Sequence, residues 1–342
     1  MLKPPHLLFE HLLCAGDTVA MSVVPREVYR ATGGKVRVSV RTNHPAVFEN
    51  SPFVKHNLSA KCPAPPGTML CPLSYDPKKG CKNRMHFLQA FLASADPYVR
   101  PYLERPLRLT EFRPSIQLAP DEQSTMPRLP GMPRDTPYWL VMAGGKHDIK
   151  TKLWAPRRWR QVVYDLAQDT DFPVIAQVGV TSTGHTHRPL PGCVNLLDKT
   201  DLRALIWLAR HARGVICGVT SLMHIAAAVG TPAIVIAGGR EPWWWDSYDT
   251  RAQELFRPAE QLAFAPHVYL DGGAARCTND GCWNTGYYGS GAKNCKHLLP
   301  ADRLSRSIPQ PACMDAITPQ MIIACARGMD RQIGTGMGGS GE

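Results

Sequence analysis

Two hydrophobic periods alternate along this chain, and the places where the period changes mark its elements. Leu7, Leu8, Leu12 and Leu13 form an apolar opening run that leads into a loop at Gly16-Asp17, and residues 23–31 then take helical spacing until Gly33-Gly34 stops it. Residues 36–40, Val-Arg-Val-Ser-Val, alternate with period two. Strand, loop, helix and strand in that order predict a βαβ opening, and so a parallel sheet with helices on its faces. Residues 62–80 are rich in Pro, Gly and Cys and read as irregular loop, whereas 85–95 read as a helix. Pro120, Pro127, Pro130, Pro133 and Pro137 give the following stretch linker composition, which sets a domain boundary near residue 133.

The alternation then restarts. Strands are expected at 138–143, 174–178, 214–217 and 233–237, and helices at 156–168, 201–210 and 222–229. This predicts a second doubly wound α/β domain, giving domains 1–133 and 134–330, a Cys-rich segment at 271–315 and a flexible tail over 331–342. In such sheets ligands sit beyond the carboxyl ends of the strands, where Gly16-Asp17, Gly144-Gly145-Lys146, Gly179 and Val219-Thr220 all fall.

Composition narrows the class without naming the chemistry. With 342 residues, 44% hydrophobic and 20% charged, the chain is globular and too long for one comfortable core. Its net charge of +11 comes from 39 Lys and Arg against 28 Asp and Glu, scattered in ones and twos, and no nucleic-acid-binding signature accompanies it. Nucleic acid is therefore not the expected partner. No apolar run is long enough for a transmembrane segment, and Pro4, Pro5, His6, Glu10 and His11 interrupt what a signal peptide would need, so a cytoplasmic protein is expected. Eleven cysteines in a reducing compartment argue for metal ligands or thiols rather than disulfides.

Five stretches carry candidate chemistry. Thr220-Ser221 lie between a strand end and a helix start, either an ordinary N-cap or, with the free N–H groups and helix dipole, a phosphate site; His224, one turn later, reads on its own as a packed core histidine. A Gly-rich turn, Gly144-Gly145, precedes Lys146, Lys150 and Lys152, which suits a diphosphate, but neither GxxxxGK[ST] nor GxGxxG is present, so nucleotide hydrolysis and NAD binding lose support. Asp17 is either a helix cap or a carboxylate that takes a proton from a hydroxyl. Cys277, Cys282, Cys295 and Cys313 have the ligand types of a tetrahedral structural site, iron or zinc, against the alternative of unliganded thiols. Cys14, Cys193, Cys217 and Cys325 read as small buried hydrophobes, and Cys62, Cys71 and Cys81 stay unassigned. Arg240-Glu241-Pro242 precede three tryptophans that either stack on a ligand or pack, with packing favoured for at least two.

In this order the stretches resemble glycosyltransferase family 9, the ADP-heptose heptosyltransferases. The resemblance rests on Gly16-Asp17, on residues 41–52, on Lys152-Leu153-Trp154, and on residues 219–228, which match an Asp-Thr-Gly-x-x-His-x-Ala-Ala-Ala element. The Gly-Gly-Arg-Glu-Pro segment and the Cys-rich stretch ending at 313–319 are most similar to the branch with autotransporter-adhesin heptosyltransferases, in which a cysteine cluster holds iron. The resemblance implies a GT-B fold, two Rossmann-like domains facing across a cleft, the first on the acceptor side and the second binding the sugar nucleotide. It implies inverting transfer of a heptose-like sugar from an ADP-sugar to a hydroxyl of a glycan, protein or small molecule. Asp17 would be general base; Gly16, Gly144, Lys146, Lys152, Thr220, Ser221, His224, Arg240 and Glu241 would bind the donor; no catalytic Mg would be needed. A homo-oligomer is compatible with it. The chain departs from the pattern at Val219 and Ser221, and at Val180-Thr181-Ser182, where an acidic residue often follows the Gln-x-Gly strand. A second reading is therefore a sugar-nucleotide- or carbohydrate-binding member with an altered site.

Overall fold

A computed structural model describes residues 5–76, 83–182, 184–262, 266–273, 281–283, 294–302 and 307–336. The first sheet is parallel with order β3-β2-β1-β4, formed by β1 (His6–His11), β2 (Arg37–Thr42), β3 (Asn57–Ser59) and β4 (Thr68–Pro72). His6 pairs in register with Arg37 on one side and Thr68 on the other. Helices α1 (Ala15–Met21), α2 (Val23–Thr32) and α3 (Phe87–Val99) cover it, and a short helix, α4 (Pro120–Ser124), leads onward.

The second sheet is also parallel, with order β10-β9-β8-β5-β6-β7. Its strands are β5 (Tyr138–Met142), β6 (Val174–Gln177), β7 (Val194–Asn195), β8 (Gly214–Gly218), β9 (Ala233–Ile236) and β10 (His267–Leu270). The central strands β5, β8 and β9 are buried at every position, as expected of strands covered on both faces. Around them lie α5 (Pro156–Ala167), α6 (Leu202–His211), α7 (Ser221–Val229), α8 (Trp243–Asp246) and α9 (Thr250–Phe256). A small antiparallel pair, β11 (Leu298–Leu299) with β12 (Gln310–Pro311), precedes α10 (Ala312–Asp315) and α11 (Pro319–Gly336).

One apolar cluster runs from Leu7 and Phe9 through Val19 and Phe91 to Leu222, Met223 and Trp245, so both sheets share it. A second cluster, on the other face of the second sheet, joins Trp139, Trp154 and Trp159 to Met314 and Ile322. Each fully buried large side chain contributes about 1.5–3 kcal/mol.

Three expectations need correction. Residues 62–80 are not all loop, because β4 lies within them; its pattern leaves only Cys71 buried, and an exposed edge strand that ends on Pro72 carries no alternation to read. Gly16 and Asp17 lie in the first turn of α1 rather than in a loop, because Asp17 reaches back to the Cys14 N–H and starts the helix early. Residues 331–336 continue α11: Asp330 accepts from Trp139 Nε1 at 3.0 Å and Arg213 Nε at 2.7 Å, and Ile333 packs on the core. Helix α3 also runs past Ala95 to Val99, with Pro97 in its last turn. Among the described residues no helix is long and apolar enough to cross a membrane.

Candidate functional site

The carboxyl ends of β5, β6, β8 and β9 open into a cavity of about 700 Å³. Gly144, Lys152, Trp159, Arg160, His187 and Gly218 are among its lining residues. Lys152 ends a short 3-10 turn (Lys150–Lys152), so its ammonium stands at the cavity wall. There it pairs with Glu241 at 2.6 Å, and Glu241 also pairs with Arg240. Glu241 is 2% exposed. Burial pushes its pKa up, but Lys152 and Arg240 outweigh this and hold the carboxyl below its ordinary range. Asp246, which accepts from Tyr269 Oη at 2.8 Å, is pushed up to about 7 by burial and by Glu241. The site thus holds one carboxylate, Glu241, paired with two cations, beside a second carboxyl that keeps its proton far longer.

Asp17 sits apart from the cavity wall, across the α1–α7 contact. A Cβ added to Gly16 would lie 3.4 Å from His224 Cδ2 and 3.6 Å from the Ser221 backbone nitrogen, so the start of α1 abuts the start of α7. Asp17 accepts at Oδ2 from the Cys14 N–H at 3.2 Å and from its thiol at 3.0 Å, and at Oδ1 from Tyr75 Oη at 3.0 Å. Burial, then Asp17, raise the Cys14 thiol, while Lys146 pulls it the other way; burial, then Asp17, also raise the Tyr75 phenol, with Arg240 opposing. Lys146 and Arg240 are therefore within electrostatic range of the Asp17 cluster, although Lys146 itself is exposed. Cys14 is half-buried and bonded to Asp17, not the inert apolar filler its sequence suggests; Cys193 and Cys325 are likewise only half-buried, packed against the second apolar cluster.

Thr220 occupies the N-cap position of α7 in extended conformation, but its hydroxyl makes no capping hydrogen bond, contrary to expectation. Ser221 begins the helix half-exposed. His224 is buried one turn on, its Nδ1 hydrogen-bonded to Tyr248 Oη at 2.9 Å, and burial pushes its pKa down to about 4. Of the expected donor residues, Gly144 and Lys152 line the cavity, Arg240 and Glu241 join it through Lys152, and Gly16, Ser221 and His224 form the neighbouring helix contact. Trp244 and Trp245 are buried, Trp245 against Tyr75, Phe87 and Trp283, so two tryptophans pack as favoured. Trp243 holds the Arg251 guanidinium 4.8 Å from its ring centroid.

Tyr75, Asp246, His185 and His187 escape a motif-based reading. Tyr75 follows β4, the strand hidden among prolines, so nothing in the pattern places it beside Asp17. At the Val180-Thr181-Ser182 departure, a carboxylate does arrive from elsewhere: Asp198, in left-handed conformation at φ 59°, accepts from the Thr181 N–H at 2.8 Å.

Of the four candidate metal ligands, Cys277 lies outside the described residues. Burial raises the Cys295 thiol, the His297 backbone eases it, and Cys313 and Cys282 raise it further, so both lie within electrostatic range of Cys295. Among the described residues no group of three His, Cys, Asp or Glu side chains is arranged to hold a metal. Cys313 Sγ would lie 3.4 Å from a Cβ added to Gly238, which places it behind the turn that carries Arg240 and Glu241.

Four buried histidines set an acid limit on stability. Burial holds His86 and His267 near 3 and His187 and His224 near 4, against an ordinary 6.5. The unfolded chain takes up these protons first, so acid favours unfolding. Asp246 acts oppositely, since the folded chain keeps a proton that the unfolded chain releases, but it is one group against four. The thermal midpoint is expected to fall as pH drops from about 6.5 towards about 4, each histidine contributing up to about 1.4 kcal/mol per pH unit. Melting curves across that range check it; a flat profile contradicts it.

Two parallel sheets flanked by helices, with the cavity at the carboxyl ends of the second, define a GT-B-like α/β fold. The family model of glycosyltransferase family 9 (heptosyltransferase) matches residues 96–263. TibC from enterotoxigenic E. coli H10407, an iron-containing dodecameric glycosyltransferase, is similar in structure at a TM-score of 0.56 and 15% identity, over 98% of this chain and 77% of that one. TibC is also known in complex with ADP-D-β-D-heptose. A family 9 glycosyl transferase from Veillonella parvula DSM 2008 gives 0.57 and 10%, over 97% and 99%. E. coli ADP-heptose lps heptosyltransferase II gives 0.54 and 12%, over 96% and 99%. At these identities the structures establish the fold. No curated protein matches the sequence at a significant level.

Proposed function

We propose that this chain is an inverting glycosyltransferase that moves a heptose-like sugar from an ADP-sugar to an acceptor hydroxyl. The observation that carries the reading is Lys152: it stands on the wall of the strand-end cavity, beside Gly144 and Gly218, with its charge oriented by buried Glu241. A diphosphate entering the cavity meets that ammonium and, with Arg240 and the start of α7, a set of donors that stabilise the leaving group without a catalytic divalent metal. Asp17 would accept the proton of the acceptor hydroxyl as that oxygen bonds to the anomeric carbon and the bond from that carbon to the β-phosphate oxygen breaks, releasing ADP. Each carboxylate oxygen accepts about two hydrogen bonds, so Oδ1, which accepts from Tyr75 Oη, keeps a lone pair for this step. Lys146, exposed on the Gly-rich turn, would attract the anionic donor. The same capping bonds at Asp17, together with Val219, support the second reading, a binding protein that no longer turns over.

Calorimetric titration with ADP, UDP, GDP and dTDP tests the nucleotide assignment. ADP is expected to bind most tightly; preference for another nucleotide would overturn it.

The similarity to iron-containing TibC, and the electrostatic reach of Cys282 and Cys313 to Cys295, support a structural iron or zinc site completed by Cys277. Bound there, a metal would brace the Gly238 turn behind Glu241. Elemental analysis is expected to give about one metal ion per chain, with Cys295→Ser lowering both that content and the thermal midpoint. Metal-free protein whose midpoint the substitution leaves unchanged would refute the site. The cytoplasm and a homo-oligomeric state fit this reading.

A further inference from the structure

The cavity continues past Lys152 over the ends of β5 and β6, where Thr181, His185, Thr186, His187 and Arg188 form its wall. Of these His187 is buried, at 7% exposure. Two glycines make room for its ring. A Cβ added to Gly179 would lie 2.5 Å from Nδ1, and one added to Gly144 would lie 2.8 Å from the same atom. Gly179 also has φ +143°, a backbone conformation that side-chain-bearing residues rarely adopt. Nδ1 therefore faces bare backbone and is buried with no hydrogen-bond partner. A buried N–H without an acceptor is rarer and costlier than a buried lone pair without a donor, which assigns the imidazole proton to Nε2. With Nδ1 walled in, Nε2 is the nitrogen left to the cavity.

We propose that His187 donates a hydrogen bond from a neutral Nε2–H to the nucleoside half of the bound nucleotide, in a subsite that is distinct from the diphosphate end at Lys152. The proposal rests on the nucleotide reading given above. Its support is geometric: a buried polar ring on the cavity wall, fixed by two glycines, with one nitrogen sealed and the other open. Burial, reinforced by His185 and opposed by Asp198, holds the ring neutral down to about pH 4, so it offers a proton without a charge. A neutral donor suits the uncharged acceptors of a nucleoside, the ribose oxygens and base nitrogens, whereas the diphosphate is better served by the ammonium of Lys152. Thr181, held by Asp198, anchors the near end of the segment that brings His187 back over the sheet.

The test is calorimetric titration of the full chain with ADP, AMP and pyrophosphate, for the wild type, His187→Phe and His187→Gln. His187→Phe, which fills the ring's space without the N–H, is expected to weaken ADP and AMP about tenfold while leaving pyrophosphate unchanged. His187→Gln, which keeps an N–H donor, recovers part of the loss. Nitrogen-15 spectra of the wild-type imidazole read the tautomer without any substitution: Nε2–H, perturbed on adding AMP, is expected. Unchanged ADP affinity in His187→Phe, equal losses for ADP and pyrophosphate, or an Nδ1–H tautomer would each overturn the proposal. Wild-type protein that binds none of the three ligands would overturn the nucleotide reading as well.

Discussion

Asp17→Asn is expected to lower the rate of sugar transfer by about 10²–10⁴-fold while leaving the fold and ADP affinity intact. The amide occupies the same space and can still accept from the Cys14 N–H or from Tyr75 Oη, so the helix start survives, but it cannot take the acceptor proton. Asp17→Ala adds the loss of the capping box, about 0.5–2 kcal/mol of stability. The pair separates chemistry from structure: the two variants share the rate defect and differ in thermal midpoint. Steady-state rates and melting curves check this, and a fully active Asp17→Asn would move the base elsewhere and leave Asp17 as a cap.

Lys152→Met is expected to weaken ADP binding by roughly 10–100-fold, the worth of a hydrogen bond to a charged group. It also destabilises the fold. Glu241, 2% exposed, would be left with Arg240 as its counter-charge, and removing one partner of a buried ion pair costs about 3–5 kcal/mol. Because Arg240 remains and the Lys152 side chain is 21% exposed, the loss should fall at or below the lower end of that range. Adding Glu241→Gln to Lys152→Met removes the uncompensated carboxylate and should restore most of the stability, but none of the ADP affinity. Restoration of both would show that Lys152 serves Glu241 and not a ligand.

The inner strands of the second sheet were legible from sequence because they are buried on both faces, and Tyr138–Met142, Gly214–Gly218 and Ala233–Ile236 fall within a residue of expectation; its edge strands β7 and β10, short and only partly buried, were not. The first sheet was half legible. Its edge strand β4 buries one side chain, has prolines before and at its end, and offers no alternation, so Tyr75 beyond it could not be placed. The Thr220 hydroxyl illustrates a different gap. Residue type and position both predict a cap, yet the rotamer is chosen by surroundings that the sequence does not display. His187 is hidden more deeply still. Its environment is built by Gly144 and Gly179, each next to a different strand, and only the parallel pairing of β5 with β6 brings the two glycines to one ring. Lys152 and Glu241, by contrast, stand in stretches that sequence singles out, although their pairing does not follow from it.

Mass analysis of products formed from ADP-heptose and a panel of hydroxyl-bearing glycans, peptides and small molecules tests the central claim most directly. The account predicts an acceptor gaining one heptosyl unit with stoichiometric release of ADP, slowed about 10²–10⁴-fold by Asp17→Asn. ADP-heptose left intact with every acceptor, while another sugar nucleotide is consumed, would contradict it.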